Sequence, residues 1–406
     1  MCSAGVMVVN GHRYALSGYR NLLLISIGKA AGTMAAAFLR VVGDEGSRMQ
    51  GVIAGVCEQQ LPEQLQVFAG GHPRPNQASL DAAASILRLL KLAGDGDLVV
   101  FLVSGGGSSM VEQMLRDDIS LEDLATTHKT LVESGAPIAA INVVRKHLSA
   151  VKGGRLAAAA APAHQLTIFV SDVPVGELDA LASGPTLPDR STVADVQRIA
   201  AEYQLVPMLP AAVANLLASE IVETPKPGDA IFAKSQWTTL LDSASLEEAA
   251  STRAAILGWH VTIDNTCDDW DAEDAAKYLV QRLEELRRVQ PRVCLLSAGE
   301  VTVRVPGGAS GQGGRNQHFA LHCSRLIAGR DFVVLSAGSD GVDGNSSAAG
   351  AMVDGTTVSR AAAAGHPVEK ALEDFDSYAL LSMLGDAITT GPTSNNLRDL
   401  RILLAP

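Results

Sequence analysis

Short apolar runs punctuate the chain, and several open directly onto glycine. Leu22–Ile27 precedes GKAAG, Leu98–Val103 precedes SGGGSS, and Leu166–Val170 precedes SDVPVGE. Val293–Leu296 precedes SAGEVTV, and Phe332–Leu335 precedes SAGSDGVDG. Runs this short, with little polar alternation, read as strands buried on both faces. Between them lie SLDAAASILRLLKLA and LEEAASTRAAILGW, Ala/Leu-rich stretches that predict helices. AAAAAPA, at 157–163, reads as a helix end. Strands alternating with helices predict βαβ units, an α/β fold and a mostly parallel sheet. Ligands in such sheets bind beyond the carboxyl ends of the strands, where these loops fall. The pattern breaks at IVETPKPGDAIF, Ile221 to Phe232, and a fresh helix–strand run, SLEEAASTRAAILGWHVTI, follows. That break predicts two domains, 1–235 and 236–406.

Composition narrows the function class. The 406 residues are enough for two domains. Lysine and arginine number 32 against 44 acids, a net charge of −12, which argues against general affinity for nucleic acid or an anionic membrane. The partner expected is therefore a small molecule, and an anionic one needs a local basic site. The chain has five cysteines, and the closest pair, Cys267 and Cys294, is 27 positions apart. Such spacing offers no zinc pairing and reads as free thiols of a reducing compartment. No secretory leader and no run of ~20 apolar residues is evident, so a cytoplasmic protein is expected.

The glycine-rich strand ends carry the candidate chemistry. Ser104 to Ser108, in VSGGGSSM, can cradle a phosphate with backbone N–H groups or simply turn a tight corner. The stretch is neither a Walker A motif nor a nucleophile elbow. Lys29, in ISIGKAAGTM, stands where a strand opens into a helix and can meet a phosphate as a compact charge. Only Gly28 and Gly32 occur there, so the dinucleotide fingerprint is incomplete. Arg145, Lys146, Lys152 and Arg155 gather in INVVRKHLSAVKGGRLA, as an anion site or as a solvated helix face. Asp172, the first residue of DVPVGE, stands at a strand's carboxyl end and can hold Mg²⁺, accept a proton or cap a turn. Arg315 follows GGASGQGG and can grip a carboxylate or phosphate with two bonds. His318 and His322 have helical spacing, but Phe319 stands where a zinc protease motif has Glu. Asp340 and Asp343 in SDGVDG fit a metal or Asp-Gly turns. A lysine, an arginine, acids and glycine turns at strand ends suit phosphoryl transfer, where catalysis is positioning plus charge stabilisation.

The combination resembles a known family. GKAAGTMAAAF, GGHPRPNQASL, VSGGGSSM, NVVRKHLSAVKGGRLA, SDVPVGELDALASGPT, GQGGRNQHFAL, AGSDGVDGNSSAAGA and TGPTSNNLRDLRILL stand in the order seen in glycerate 2-kinases of the MOFRL type. Some members carry the older label hydroxypyruvate reductase. The resemblance runs from about residue 22 to Leu404. It implies a Rossmann-like N-terminal domain, a smaller MOFRL-type α/β C-terminal domain and an active site in the cleft between them. It also implies ATP- and Mg²⁺-dependent phosphorylation of D-glycerate at the 2-hydroxyl. Matched block by block, Lys29 neutralises phosphate charge, Asp172 is a base or metal holder, and Arg315 meets the glycerate carboxylate or the transferring phosphate. Ser104, Gly105, Gly106, Gly107 and Ser108 then form the phosphate cradle. Arg145, Lys146 and Asn316 are candidates for substrate, and Asp340 for the metal. The chain departs from the family's usual residues in four places. Val175-Gly176-Glu177 replaces Gly-Asp-Asp or a similar triplet, and Ala298-Gly299-Glu300 replaces Gly-Gly-Glu. His318 replaces a Glu, and Ser347 replaces an Asp. A kinase for another small hydroxy acid, or a non-catalytic sensor of nucleotide or sugar acid, are the alternatives.

Overall fold

The computed structural model describes residues 2–3, 5–307 and 310–406. The chain forms two compact units, Met1–Leu240 and Leu241–Pro406. The division falls just beyond residue 235 because Ser235–Leu241 is hydrogen-bonded into the first sheet.

The first unit opens with a small antiparallel ribbon, β1 (Cys2–Ser3), β2 (Val6–Val9) and β3 (His12–Ala15). Six further strands follow: β4 (Leu22–Gly28), β5 (Met49–Gly55), β6 (Leu65–Phe68), β7 (Leu98–Ser104), β8 (His164–Val170) and β9 (Ser235–Leu241). They form one sheet in the order β6-β5-β4-β7-β8-β9, with β6 through β8 paired in parallel. Every residue of β4 and β7 is buried, which is why both read as unbroken apolar runs. The connections run one way from β4 to β6 and the other way from β7 to β9. The strand order therefore reverses between β4 and β7, the position where open α/β sheets leave a crevice for ligand.

Helices α1 (Ala31–Val42), α2 (Gln77–Leu90), α3 (Gly107–Met110), α4 (Leu121–Glu133), α5 (Ile138–Leu148), α6 (Arg155–Ala160), α7 (Val193–Glu202) and α8 (Ala211–Asn215) complete this unit. Asn76 caps α2 through the Ser79 N–H, so this helix begins two residues before the apolar pattern does. Ile25, Phe101 and Phe169 centre a core between sheet and helices, while Leu131, Val144, Val196 and Val213 centre a helical one.

The second unit contains α9 (Ser243–Ile256), β10 (His260–Ile263), α10 (Ala272–Val289), β11 (Val293–Ala298), α11 (Arg315–Leu326), β12 (Val333–Gly338), β13 (Gly350–Asp354), β14 (Ala387–Ile388) and β15 (Asp399–Ala405). Its sheet has the order β10-β11-β15-β12-β13-β14, and only β10 and β11 pair in parallel. The last strand inserts antiparallel between β11 and β12, so the parallel character expected from the alternating pattern holds for the first sheet and not for this one. Leu279, Leu295, Phe319, Val334 and Leu403 lie in its core. Among the described residues no helix is long and apolar enough to cross a membrane.

Candidate active site

At the switch point the ends of β4 and β7 are tied together. Ile27 pairs with Val103. The Ser104 hydroxyl donates to the Ile27 carbonyl at 3.3 Å and accepts the Ala30 N–H at 3.0 Å. The Lys29 N–H donates to the Gly105 carbonyl at 2.9 Å. Gly28 has φ of +115°, and a methyl carbon built there would lie 2.4 Å from the Ser104 carbonyl oxygen. This contact fixes Lys29, half-buried, beside the SGGGSS turn.

The turn is bare because five neighbours press on it. A methyl carbon on Gly105 would lie 1.8 Å from Oδ2 of Asp172, which follows β8. On Gly106, whose φ is +80°, it would lie 3.0 Å from the His72 ring and 3.1 Å from Cγ of Lys29. On Gly107 it would lie 2.9 Å from both Ala182 and Ile27. Lys29, His72 and Asp172 thus surround a backbone turn whose three glycines carry no side chain of their own. Burial, and then the charge of Lys29, hold the His72 imidazole below its ordinary pKa, so it is neutral at pH 7.

The turn is braced from behind. Ser108 and Ser183 share a hydroxyl hydrogen bond of 2.9 Å. Ala182, Ser183 and Gly184 have φ of 50°, 60° and 59°, a left-handed run unusual for the first two. The Gly153 and Gly154 N–H groups hold it by donating to the Ser183 and Gly184 carbonyls at 3.0 and 2.8 Å. The basic block ending in those glycines faces inward. Lys152 is 1% exposed and pairs with Glu112, which also accepts the Ser149 hydroxyl at 2.6 Å. Burial alone would raise the Glu112 pKa, but Lys152 and His128 outweigh it and lower it to about 2. Lys146 is 5% exposed and donates to Asp179 at 2.9 Å and Asp189 at 3.3 Å. Burial lowers the Arg145 pKa against the pull of Glu112. Lys146 and Lys152 are therefore part of an internal ion network rather than a solvated face, with Lys146 engaged by two carboxylates. Arg145 and Arg155 are half-buried, each with an Nε that has no hydrogen-bond partner among the described residues.

In the second unit Arg315 begins α11. Its Nε and Nη2 donate to the two oxygens of Asp399 at 2.5 and 3.0 Å, and Glu300 lies 2.8 Å from Nη2. Burial opposes the guanidinium charge, yet Asp399, Glu300 and Asp343 raise its pKa. Asp343 accepts the N–H groups of Asn316 and Gln317 at 3.1 and 2.9 Å, so a carboxylate of the chain already fills this helix N-terminus. Asn316 is 1% exposed, and its amide oxygen accepts the Ser336 hydroxyl at 2.6 Å. Arg315, Glu300, Asp340, His318 and Phe375 line an open cavity of ≈ 710 Å³. His318 stacks on Phe375 with centroids 5.3 Å apart and meets His322 edge-on at 4.9 Å. Burial, then the charge of His322, lower the His318 pKa to about 4. Among the described residues no three His, Cys, Asp or Glu side chains gather as a metal site.

Two family descriptions match the chain: a domain of unknown function, DUF4147, over residues 4–218, and the MOFRL family over residues 293–399. A glycerate 2-kinase of Pyrococcus horikoshii is 34% identical over 408 residues, covering 98% of this chain and 90% of that protein. A D-glycerate 2-kinase of Thermotoga maritima is 34% identical, covering 94% of this chain and 90% of that protein. A crystal structure of a glycerate kinase from Thermotoga maritima matches with a TM-score of 0.86 at 33% identity, covering 95% of this chain and 92% of that chain. The chain belongs to the glycerate 2-kinase family.

The family blocks fall into two groups on this structure. Lys29, Ser104 to Ser108 and Asp172 come together at the switch point of the first sheet. Arg315 and Asp340 share the cavity of the second unit. Asn316 and Lys146 lie instead in buried networks beside these places, and Arg145 is half-buried with an Nε unpartnered among the described residues. Sequence reasoning passed over His72 as a site residue. Its block, GGHPRPNQASL, was in view, but a single histidine in a loop has no spacing signal of its own. The Glu112–Lys152 pair also escaped, because its partners are 40 positions apart.

Proposed function

We propose that this protein transfers the γ-phosphoryl group of ATP, with Mg²⁺, to the 2-hydroxyl of D-glycerate. The observation that carries this reading is the arrangement of Lys29 and Asp172 around the bare Gly105–Gly107 turn, at the crevice of a parallel sheet. Relatives at 34% identity named as glycerate 2-kinases support the same substrate. Lys29 offsets charge on the phosphoryl group in flight, and the glycine turn lets that group approach backbone N–H donors. Asp172 accepts the hydroxyl proton of glycerate or holds the metal. Mg²⁺ takes one or two carboxylates and completes its shell with water and phosphate oxygens, so either Asp172 or Asp340 suits it without a three-residue cluster. Bound there, it would neutralise phosphate charge. Arg315 meets the glycerate carboxylate or the transferring phosphate. A kinase for another small hydroxy acid is the second reading, favoured by His318 in the cavity wall where the family commonly has an acid. Free cysteines and the acidic balance fit a cytoplasmic enzyme.

An ADP-release assay with a panel of hydroxy acids tests this, run beside a nicotinamide absorbance assay. ADP release with D-glycerate is the expected result. NADH consumption with hydroxypyruvate and no ATP turnover would overturn it.

A further inference from the structure

We infer that His72 is a further catalytic residue, its ring nitrogen Nε2 donating a hydrogen bond to the phosphoryl group that Lys29 neutralises. This inference rests on the kinase reading above and adds a donor to it.

The position of the ring is built rather than incidental. The loop after β6 is fastened at two places. The Gly71 N–H donates to the Ser79 hydroxyl at 2.9 Å, and the Asn76 amide donates to the Ala69 carbonyl at 3.1 Å, anchoring the loop to the start of α2. Gly70 packs so closely on α3 that a methyl carbon there would lie 2.3 Å from the Met110 carbonyl oxygen. The loop is thus joined to the short helix that leaves the glycine turn. Its histidine is set against Gly106.

The geometry at Gly106 gives the ring its reach. A methyl carbon there would lie 3.4 Å from Nε2 of His72 and 3.1 Å from Cγ of Lys29. The ring edge and the lysine stem flank one backbone position. With the Lys29 stem and the ring edge both against this position, an anion held by Lys29 beside the turn would also come within reach of Nε2. No hydrogen bond to a described residue engages the ring, so Nε2 is available to a ligand.

The charge state suits a donor role. His72 is solvent-exposed, yet partial desolvation and then the charge of Lys29 lower its pKa, so the imidazole stays neutral at pH 7 and offers one N–H without adding a second positive charge. The charged neighbour that acts on the ring is Lys29 from the β4–α1 turn; Asp172 lies against the adjacent Gly105, and Arg74 is two residues on in the same loop. A phosphate bound between Lys29 and the ring would favour the protonated imidazole and raise its pKa.

Two variants and a titration test the inference. His72→Ala should lower kcat with ATP and D-glycerate by roughly 10- to 100-fold, the loss of one partly exposed donor to developing charge, with KM for glycerate changed less than about 3-fold. His72→Gln, whose amide N–H can stand near the place of Nε2, should recover about tenfold of that loss. Proton NMR of the wild-type ring should show its pKa rising when ADP is added. Unchanged kcat in His72→Ala, with an active wild type, overturns the inference and leaves the kinase reading intact. A glutamine variant no better than alanine, with a ring pKa insensitive to ADP, overturns it as well. A wild type that phosphorylates no hydroxy acid overturns the kinase reading and the catalytic role together. The ADP titration then still reports whether His72 touches phosphate.

Discussion

Gly105 is where the candidate site is least tolerant of change. Its Cα faces the Asp172 carboxylate so closely that any side chain displaces the acid. Gly105→Ala is therefore expected to reduce kcat by at least about 10²-fold, comparable to losing a positioned catalytic group. Steady-state kinetics and calorimetry of the same variant should show that loss beside only a small fall in melting temperature. A variant with near-normal turnover would mean that Asp172 stands outside the reacting centre. Lys29→Ala should lower kcat by roughly 10²–10³-fold, as loss of one transition-state charge donor does. Far-UV circular dichroism should stay unchanged, and normal turnover would make Lys29 an ordinary half-buried lysine. Lys29, the glycines and Asp172 were legible in the sequence because each sits at the end of a recognisable strand. His72 was not, because only the folded chain brings its loop onto Gly106.

Among the elements, β4, β7 and β8 were legible because burial leaves continuous apolar runs, whereas the part-exposed edge strands β6 and β9 carry no such run and were not. The antiparallel insertion of β15 was not, since pairing between Leu295 and Leu403 depends on distant chain order rather than local pattern. The segment from Lys146 to Gly154 teaches a similar lesson. In sequence its basic residues read equally as an anion site or a solvated helix face, yet Lys146 and Lys152 close on Glu112, Asp179 and Asp189. This network stabilises the platform behind the glycine turn, and its pH dependence follows from Glu112. Burial pushes that carboxyl up, but Lys152 and His128 bring it from 4.5 to about 2. A depressed carboxyl contributes stability above its unfolded value, so the contribution is intact above about 4.5 and fades as pH falls toward about 2. Glu112→Gln leaves the Lys152 ammonium buried without its counter-charge and should cost about 3–5 kcal/mol at neutral pH. Urea unfolding across this acid range should show the wild type losing stability more steeply than the variant. Parallel curves would contradict the assignment.

For the whole molecule, the two units have separate hydrophobic cores. One core runs through residues from Cys267 to Ala405, and those of the first unit end by Leu217. A fragment spanning 241–406 is therefore expected to fold on its own, with a dispersed NMR spectrum and a cooperative melt. A collapsed spectrum without dispersion would show that its core depends on the rest of the chain. The central claim concerns chemistry, and phosphorus NMR of the product tests it most directly. Purified protein with ATP, Mg²⁺ and D-glycerate should yield a single new phosphate ester, 2-phosphoglycerate, with one ADP for each ester formed. Exclusive formation of 3-phosphoglycerate would contradict the assigned hydroxyl, and ATP left intact with D-glycerate would contradict the proposed activity.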